Sequence, residues 1–110
     1  MHKSVIDWVV YYLASKNRSM FNSDRILECG SLDVNGSLRV FFEDKEYIGV
    51  DWRPGKGVDC VSLIHEYRDK PDEYFDLVIS TEMLEHDPHW KKSIQRMLDL
   101  LKIGGNLIFI

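Results

Sequence analysis

Residues 25–37 read Arg-Ile-Leu-Glu-Cys-Gly-Ser-Leu-Asp-Val-Asn-Gly-Ser, and their order decides the architecture of the chain. An apolar run ends in the acid Glu28, and Gly30 follows two residues later. Gly36 then closes a polar loop before Leu38, Val40, Phe41 and Phe42 restart an apolar pattern. Such an order predicts a buried strand, a tight turn and a short helix over Ser37 to Phe42, with glycine letting a ligand approach the main chain. Twenty-three residues after Glu28, the run Tyr47-Ile48-Gly49-Val50-Asp51 ends in a second acid. Two strand ends, each with a carboxylate beside a glycine turn, predict a nucleoside-type cofactor across the carboxyl edge of a parallel sheet.

Alternation continues towards the C-terminus. Val58 to Leu63 reads as a third strand, His65 to Glu73 as a polar connection, and Phe75 to Ser80 as a fourth strand. A helix is predicted over Trp90 to Leu101, with Trp90, Ile94, Met97, Leu98 and Leu101 on its apolar face. Gly104-Gly105 is expected to stop it, and Asn106 to Ile110 to form a fifth strand. Towards the N-terminus, Val5, Val9, Tyr12 and Leu13 form an amphipathic stripe, and Ser4 with Asp7 resembles a capping box. Asp7 and the polar run Ser15-Lys16-Asn17-Arg18 argue against a cleaved signal, and the apolar run is too short to span a bilayer. Residues 1–22 are therefore expected to be a helix and linker preceding a cofactor-binding core at 23–110, within one domain. Strands alternating with helices at this spacing predict an α/β fold with a parallel sheet covered on both faces.

A formal charge of −4 without a basic run predicts neither nucleic-acid nor membrane partners. Cys29 and Cys60 lie in apolar runs, which fits reduced thiols in a cytoplasmic protein better than a disulfide framework.

The first glycine loop could serve a dinucleotide or S-adenosylmethionine. A dinucleotide fingerprint requires G-x-G-x-x-G at a helix start, whereas this chain has Gly30 and Gly36 with Ser31 and Leu32 between them. A cofactor with an amino-acid end and no phosphate is better served. Glu28 can help satisfy an ammonium, loop N–H groups a carboxylate, and Asp51 a ribose diol.

In sum, Ile26-Leu27-Glu28-Cys29-Gly30, Tyr47-Ile48-Gly49-Val50-Asp51, Phe75 to Ser80 followed by Thr81-Glu82-Met83-Leu84-Glu85-His86, and Leu100-Leu101-Lys102-Ile103-Gly104-Gly105 resemble the class I S-adenosylmethionine-dependent methyltransferases. The likeness runs from about residue 24 to the end and is nearest the small-molecule group with Leu-Glu-His after the fourth strand. It implies a Rossmann-like three-layer α/β/α sandwich with sheet order 3-2-1-4-5 and S-adenosyl-L-methionine as methyl donor. By the same likeness, Glu28, Gly30 and Gly36 frame the methionine part. Cys29 and Ser31 belong to that loop, the Cys29 side chain being directed into the sheet packing. Asp51 and Trp52 meet the ribose and the adenine edge, while Ser80, Thr81 and Leu84 line the floor near the sulfonium.

Departures from the family pattern carry their own expectations. The third-strand region has no acid before Glu66, so Ser62 or the main chain of Leu63 and Ile64 would have to meet the adenine amino group. The sequence stops inside Leu107-Ile108-Phe109-Ile110, without the family's strands 6 and 7, which reads as truncation or as an edge open to self-association through 106–110. His86, Glu82 and His89 are candidate bases by position, although Glu85-His86 could equally order a loop. His86 and His89 flank Asp87 and Pro88 without a third ligand cluster, so no metal is predicted. Trp8, Trp90, Phe41 and Phe42 are expected in the core. The function expected is methyl transfer to an unidentified small-molecule acceptor. The alternatives are a catalytically silent S-adenosylmethionine-binding module and an NAD-type oxidoreductase domain.

Overall fold

The computed structural model describes Asp7 and residues 22–110, apart from Asn35 and Glu82. The expected N-terminal helix, its stripe and cap, and Trp8 therefore lie outside the described residues. Five strands form one sheet: β1 Arg25–Cys29, β2 Glu46–Asp51, β3 Cys60–Val61, β4 Phe75–Ser80 and β5 Leu101–Phe109. All pairings are parallel and the order is β3-β2-β1-β4-β5. The chain moves outward from β1 through β2 to β3, then crosses back to β4 on the other side of β1. That reversal places a topological switch point between the carboxyl ends of β1 and β4, where open α/β sheets bind ligands.

Period-two patterning divides the core between the two faces of the sheet. Ile26, Tyr47, Leu77 and Ile79 pack with Leu38 and Phe42 of a 3₁₀ turn, Leu38–Phe42, whose N-cap Ser37 accepts from the Arg39 N–H. On the opposite face Leu27, Cys29, Val50, Phe75 and Val78 pack beneath Met97 and Leu100 of helix α1, Trp90–Leu100. Ile64 and Tyr67, in and beside the 3₁₀ turn Ile64–Glu66, join that cluster. The parallel sheet is thus covered on both sides, as its continuous apolar strands require.

Three local expectations are corrected. First, β3 is two residues rather than six: the ladder is carried by Asp59 N–H to Gly49 O (2.9 Å) and Ser62 N–H to Asp51 O (3.0 Å), after which the chain turns away. Second, the buried face of α1 is Ser93, Arg96, Met97 and Leu100, whereas Trp90 and Leu98 are 46% and 49% exposed. Polar side chains hold that face because they are paired. Ser93 Oγ donates to Asp87, while Arg96 reaches the Tyr67 carbonyl (2.8 Å) and the Asp72 carboxylate (2.7 Å). Phe41 is likewise exposed, and only Phe42 of that pair enters the core. Third, Gly104 and Gly105 do not stop α1. The helix ends at Leu100 and β5 begins at once, with Leu101 opposite Phe75 and Asn106 opposite Leu77. The glycines lie in the bulge between those two registers, where Gly105 passes against the Asp76 carbonyl.

Candidate functional site

β1 ends at Cys29, and Gly30 turns the chain at φ 80°, a backbone region that favours glycine. A side chain there would also strike the Thr81 carbonyl, with a Cβ 2.7 Å from that oxygen. The loop then folds back over β2. Gly30 and Ser31 N–H groups donate to Val50 O (2.8 and 3.2 Å), Leu32 N–H to Asp51 Oδ2 (3.1 Å) and Asp33 N–H to Lys56 O (2.8 Å). Gly36 N–H donates to Asp33 Oδ1 within the same loop. These N–H groups therefore serve the protein itself, in place of the ligand carboxylate expected from sequence.

A cleft of about 540 Å³ opens at the switch point. Val50, Trp52, Leu63, Ile64, Met83 and Pro88 supply its apolar wall, and Gly30, Asp51, Arg53, Ser62, Thr81, His86 and Asp87 its polar atoms. Of the residues expected at the site, the cleft brings together Gly30, Asp51, Trp52, Ser62, Leu63, Ile64, Thr81 and the candidate base His86. Glu28, Cys29, Ser31, Gly36, Ser80, Leu84 and His89 are not among its lining residues, and Glu82 lies outside the described residues. Cys29 is fully buried in the α1-side core, where burial pushes its thiol well above the ordinary range. The Ser31 hydroxyl is buried beneath the loop, with a Cβ at Gly49 falling 2.6 Å from it. The His89 ring lies against His65, with centroids 4.7 Å apart.

Asp51 is 3% exposed and accepts from Leu32 N–H, Arg53 N–H (2.9 Å) and the Arg53 guanidinium (Nε at 3.2 Å). The guanidinium also lies over the Trp52 ring, 5.1 Å from its centroid, and Trp52 itself is 63% exposed. Val50, Arg53, Met83, Asp87 and Pro88 were missed as site residues. All five lie in or beside the strand-end motifs, but their orientation depends on how the loops cross the sheet edge.

Glu28 has a different setting. Its carboxyl group is enclosed by the hydroxyls of Tyr47 (2.7 Å), Thr81 (3.1 Å) and Ser37 (3.3 Å). Burial raises its affinity for a proton above the usual carboxylate range, opposed by those three hydrogen bonds and by the charge of Arg39. Among the described residues no group of three or more His, Cys, Asp or Glu side chains is placed to hold a metal.

A glycine turn at the switch point, a strand-end carboxylate and an apolar-walled cleft thus stand together at the carboxyl edge of a Rossmann-type sheet. Residues 27–109 match the family model described as a methyltransferase domain. The chain belongs to that family, and its parallel sheet order is that of the class I S-adenosylmethionine-dependent methyltransferases. One similar solved structure is an S-adenosylmethionine-dependent methyltransferase from Thermotoga maritima, described as a possible histamine N-methyltransferase. It has a TM-score of 0.55 and 20% identity, with 96% of this chain and 56% of that one covered. At that identity the likeness concerns the fold, and this chain spans little more than half the length of that protein. No curated protein matches the chain. No described helix is long and apolar enough to cross a membrane, and both cysteines are free thiols.

Proposed function

We propose that the cleft binds S-adenosyl-L-methionine and that the chain is the cofactor-binding part of an enzyme transferring its methyl group to a small-molecule acceptor. The observation that carries this reading is the Asp51 carboxylate, held at the end of β2 beside an apolar wall in a chain of the methyltransferase family. The donor set fits the cofactor. Val50, Leu63, Ile64 and Trp52 can cover a purine ring, and Asp51 can accept from a ribose diol while Leu32 and Arg53 N–H groups hold it in place. Arg53 would release its guanidinium from Asp51, a small cost for a side chain about half exposed. Ser62 and the Leu63 main chain border the position where an adenine amino group would be read, in place of an acid on β3. Gly30 and Thr81, joined by a 2.7 Å hydrogen bond, form the wall towards β4.

When bound, the sulfonium supplies an electrophilic methyl group, so the protein's part is to align an acceptor atom and exclude water. His86 is the candidate base that lines the cleft, with Nε2 3.5 Å from Glu85. It is proposed to take the proton of a hydroxyl or ammonium acceptor. Calorimetric titration with S-adenosylhomocysteine and with NADH tests the reading, followed by transfer of labelled methyl from S-adenosylmethionine to a small-molecule library. Binding of S-adenosylhomocysteine alone supports it. Binding of NADH alone overturns it, and cofactor binding without transfer by the longest expressible chain leaves a silent module.

A further inference from the structure

The hydroxyl of Thr81 has one proton but three acceptors around it. Its Oγ1 lies 2.7 Å from the Gly30 carbonyl, 3.2 Å from the Cys29 carbonyl and 3.1 Å from Glu28 Oε2. Carbonyl oxygens cannot donate, so the shortest contact takes the Thr81 proton to Gly30. Thr81 Oγ1 then faces Glu28 Oε2 as an acceptor, and two acceptors at that distance repel unless one bears a proton. The other side of Glu28 is already supplied, since Oε1 receives the Tyr47 hydroxyl and the Ser37 hydroxyl.

Among the described residues a charge at Glu28 has no directly paired counter-ion, and Arg39 offsets it only from a distance. Glu28 is 3% exposed, and among the described residues no cation lies within ion-pair distance of it. The groups facing it are Tyr47 on β2, Ser37 and Arg39 at the 3₁₀ turn, and Thr81 after β4. Arg39 is committed elsewhere, to Asp59 at 2.6 Å and to the Tyr47 and Gly57 carbonyls. A buried carboxylate without a paired charge is strongly disfavoured, and burial shifts this group towards its protonated form.

We propose that Glu28 is a positioning residue that works as a neutral carboxylic acid, donating its proton to Thr81 so that Thr81 donates to the Gly30 carbonyl and fixes the Gly30–Thr81 wall of the cleft. The role rests on the cofactor reading for its purpose, but the protonation state does not. It assigns Glu28 to the wall rather than to the ammonium of a ligand.

The test has two arms. In the ligand-free protein, carboxyl-carbon NMR with the Glu28 signal assigned by its loss in E28Q should show Glu28 still protonated at a pH where the other glutamates have ionised. Titration of Glu28 together with the exposed glutamates overturns the proposal. In the second arm, S-adenosylhomocysteine affinity should stay within about threefold of wild type in E28Q, whose amide can donate to Thr81 and accept from Tyr47, and fall about tenfold or more in E28A and T81V. A folded E28Q that loses about tenfold or more shows that the carboxylate charge itself is needed and overturns the proposal. If the wild-type chain does not bind S-adenosylhomocysteine, the cofactor reading fails, and the carbon titration still decides the state of Glu28.

Discussion

Replacing Asp51 by alanine perturbs both the fold and the proposed ribose contact, and the two effects can be separated. In the wild-type chain the carboxylate accepts from the Leu32 N–H, the Arg53 N–H and the Arg53 guanidinium. Arg53 is about half exposed, so its donors find water after the substitution. Leu32 N–H is part-buried and loses its acceptor, an effect of about 1–3 kcal/mol. For a domain of this size that corresponds to a fall in Tm of roughly 4–8 °C per kcal/mol. Affinity adds a second term, because hydrogen bonds from a diol to a charged carboxylate are worth about 1.5–3 kcal/mol. S-adenosylhomocysteine should therefore bind about 10- to 100-fold more weakly to D51A. R53A removes the guanidinium that competes for Asp51 and should leave affinity unchanged or tighten it by up to about fivefold. Calorimetry on both variants, at a temperature where each is folded by circular dichroism, reads the difference. Unchanged affinity in folded D51A removes Asp51 from the site, and an equal loss in R53A shows that the guanidinium rather than the carboxylate holds the ligand.

Other substitutions probe what builds the site. Gly49→Ala puts a methyl against the Gly57 carbonyl and the Ser31 side chain, so it should destabilise the chain by about 3 kcal/mol or more in urea unfolding. Arg96→Ala removes the guanidinium paired with Asp72 and one of the two donors to the Tyr67 carbonyl, Arg68 being the other, and should cost about 1–3 kcal/mol by the same assay. Two carboxyl groups should leave opposite pH signatures. Burial alone would raise the Asp76 carboxyl, but Lys102 and the N–H groups of Arg25 and Asp24 together lower it. Its contribution is present above the ordinary Asp range and lost as pH falls through the depressed value, so D76N should flatten the acid limb of stability. Glu28 is raised by burial, so its contribution is complete below the ordinary Glu range and lost as pH rises towards the raised value. E28Q should therefore gain on wild type across that interval. A wild-type advantage that grows with pH there would contradict the assignment.

The strands and the acid-glycine turns could be read from sequence because each depends on neighbours within a few residues, whereas the strand order, which rests on pairings far apart in the chain, was implied only by the family resemblance. Ile26 and Leu27 face opposite sides of the sheet by alternation alone, and Asp51 follows β2 wherever that strand is placed. What the sequence could not show is which polar groups find partners far along the chain. The buried face of α1 contains Ser93 and Arg96 because Asp87, Tyr67 and Asp72 receive their protons, so counting apolar residues selected Trp90 and Leu98 instead. Tertiary structure also decided the setting of Glu28, enclosed by hydroxyls from Tyr47 and from Thr81, the latter 53 residues away, and that of Asp51, shared with Arg53. Local periodicity determines where apolar surface goes, because burial needs no particular partner. The state of a buried charge depends on whichever donors the assembled fold brings to it.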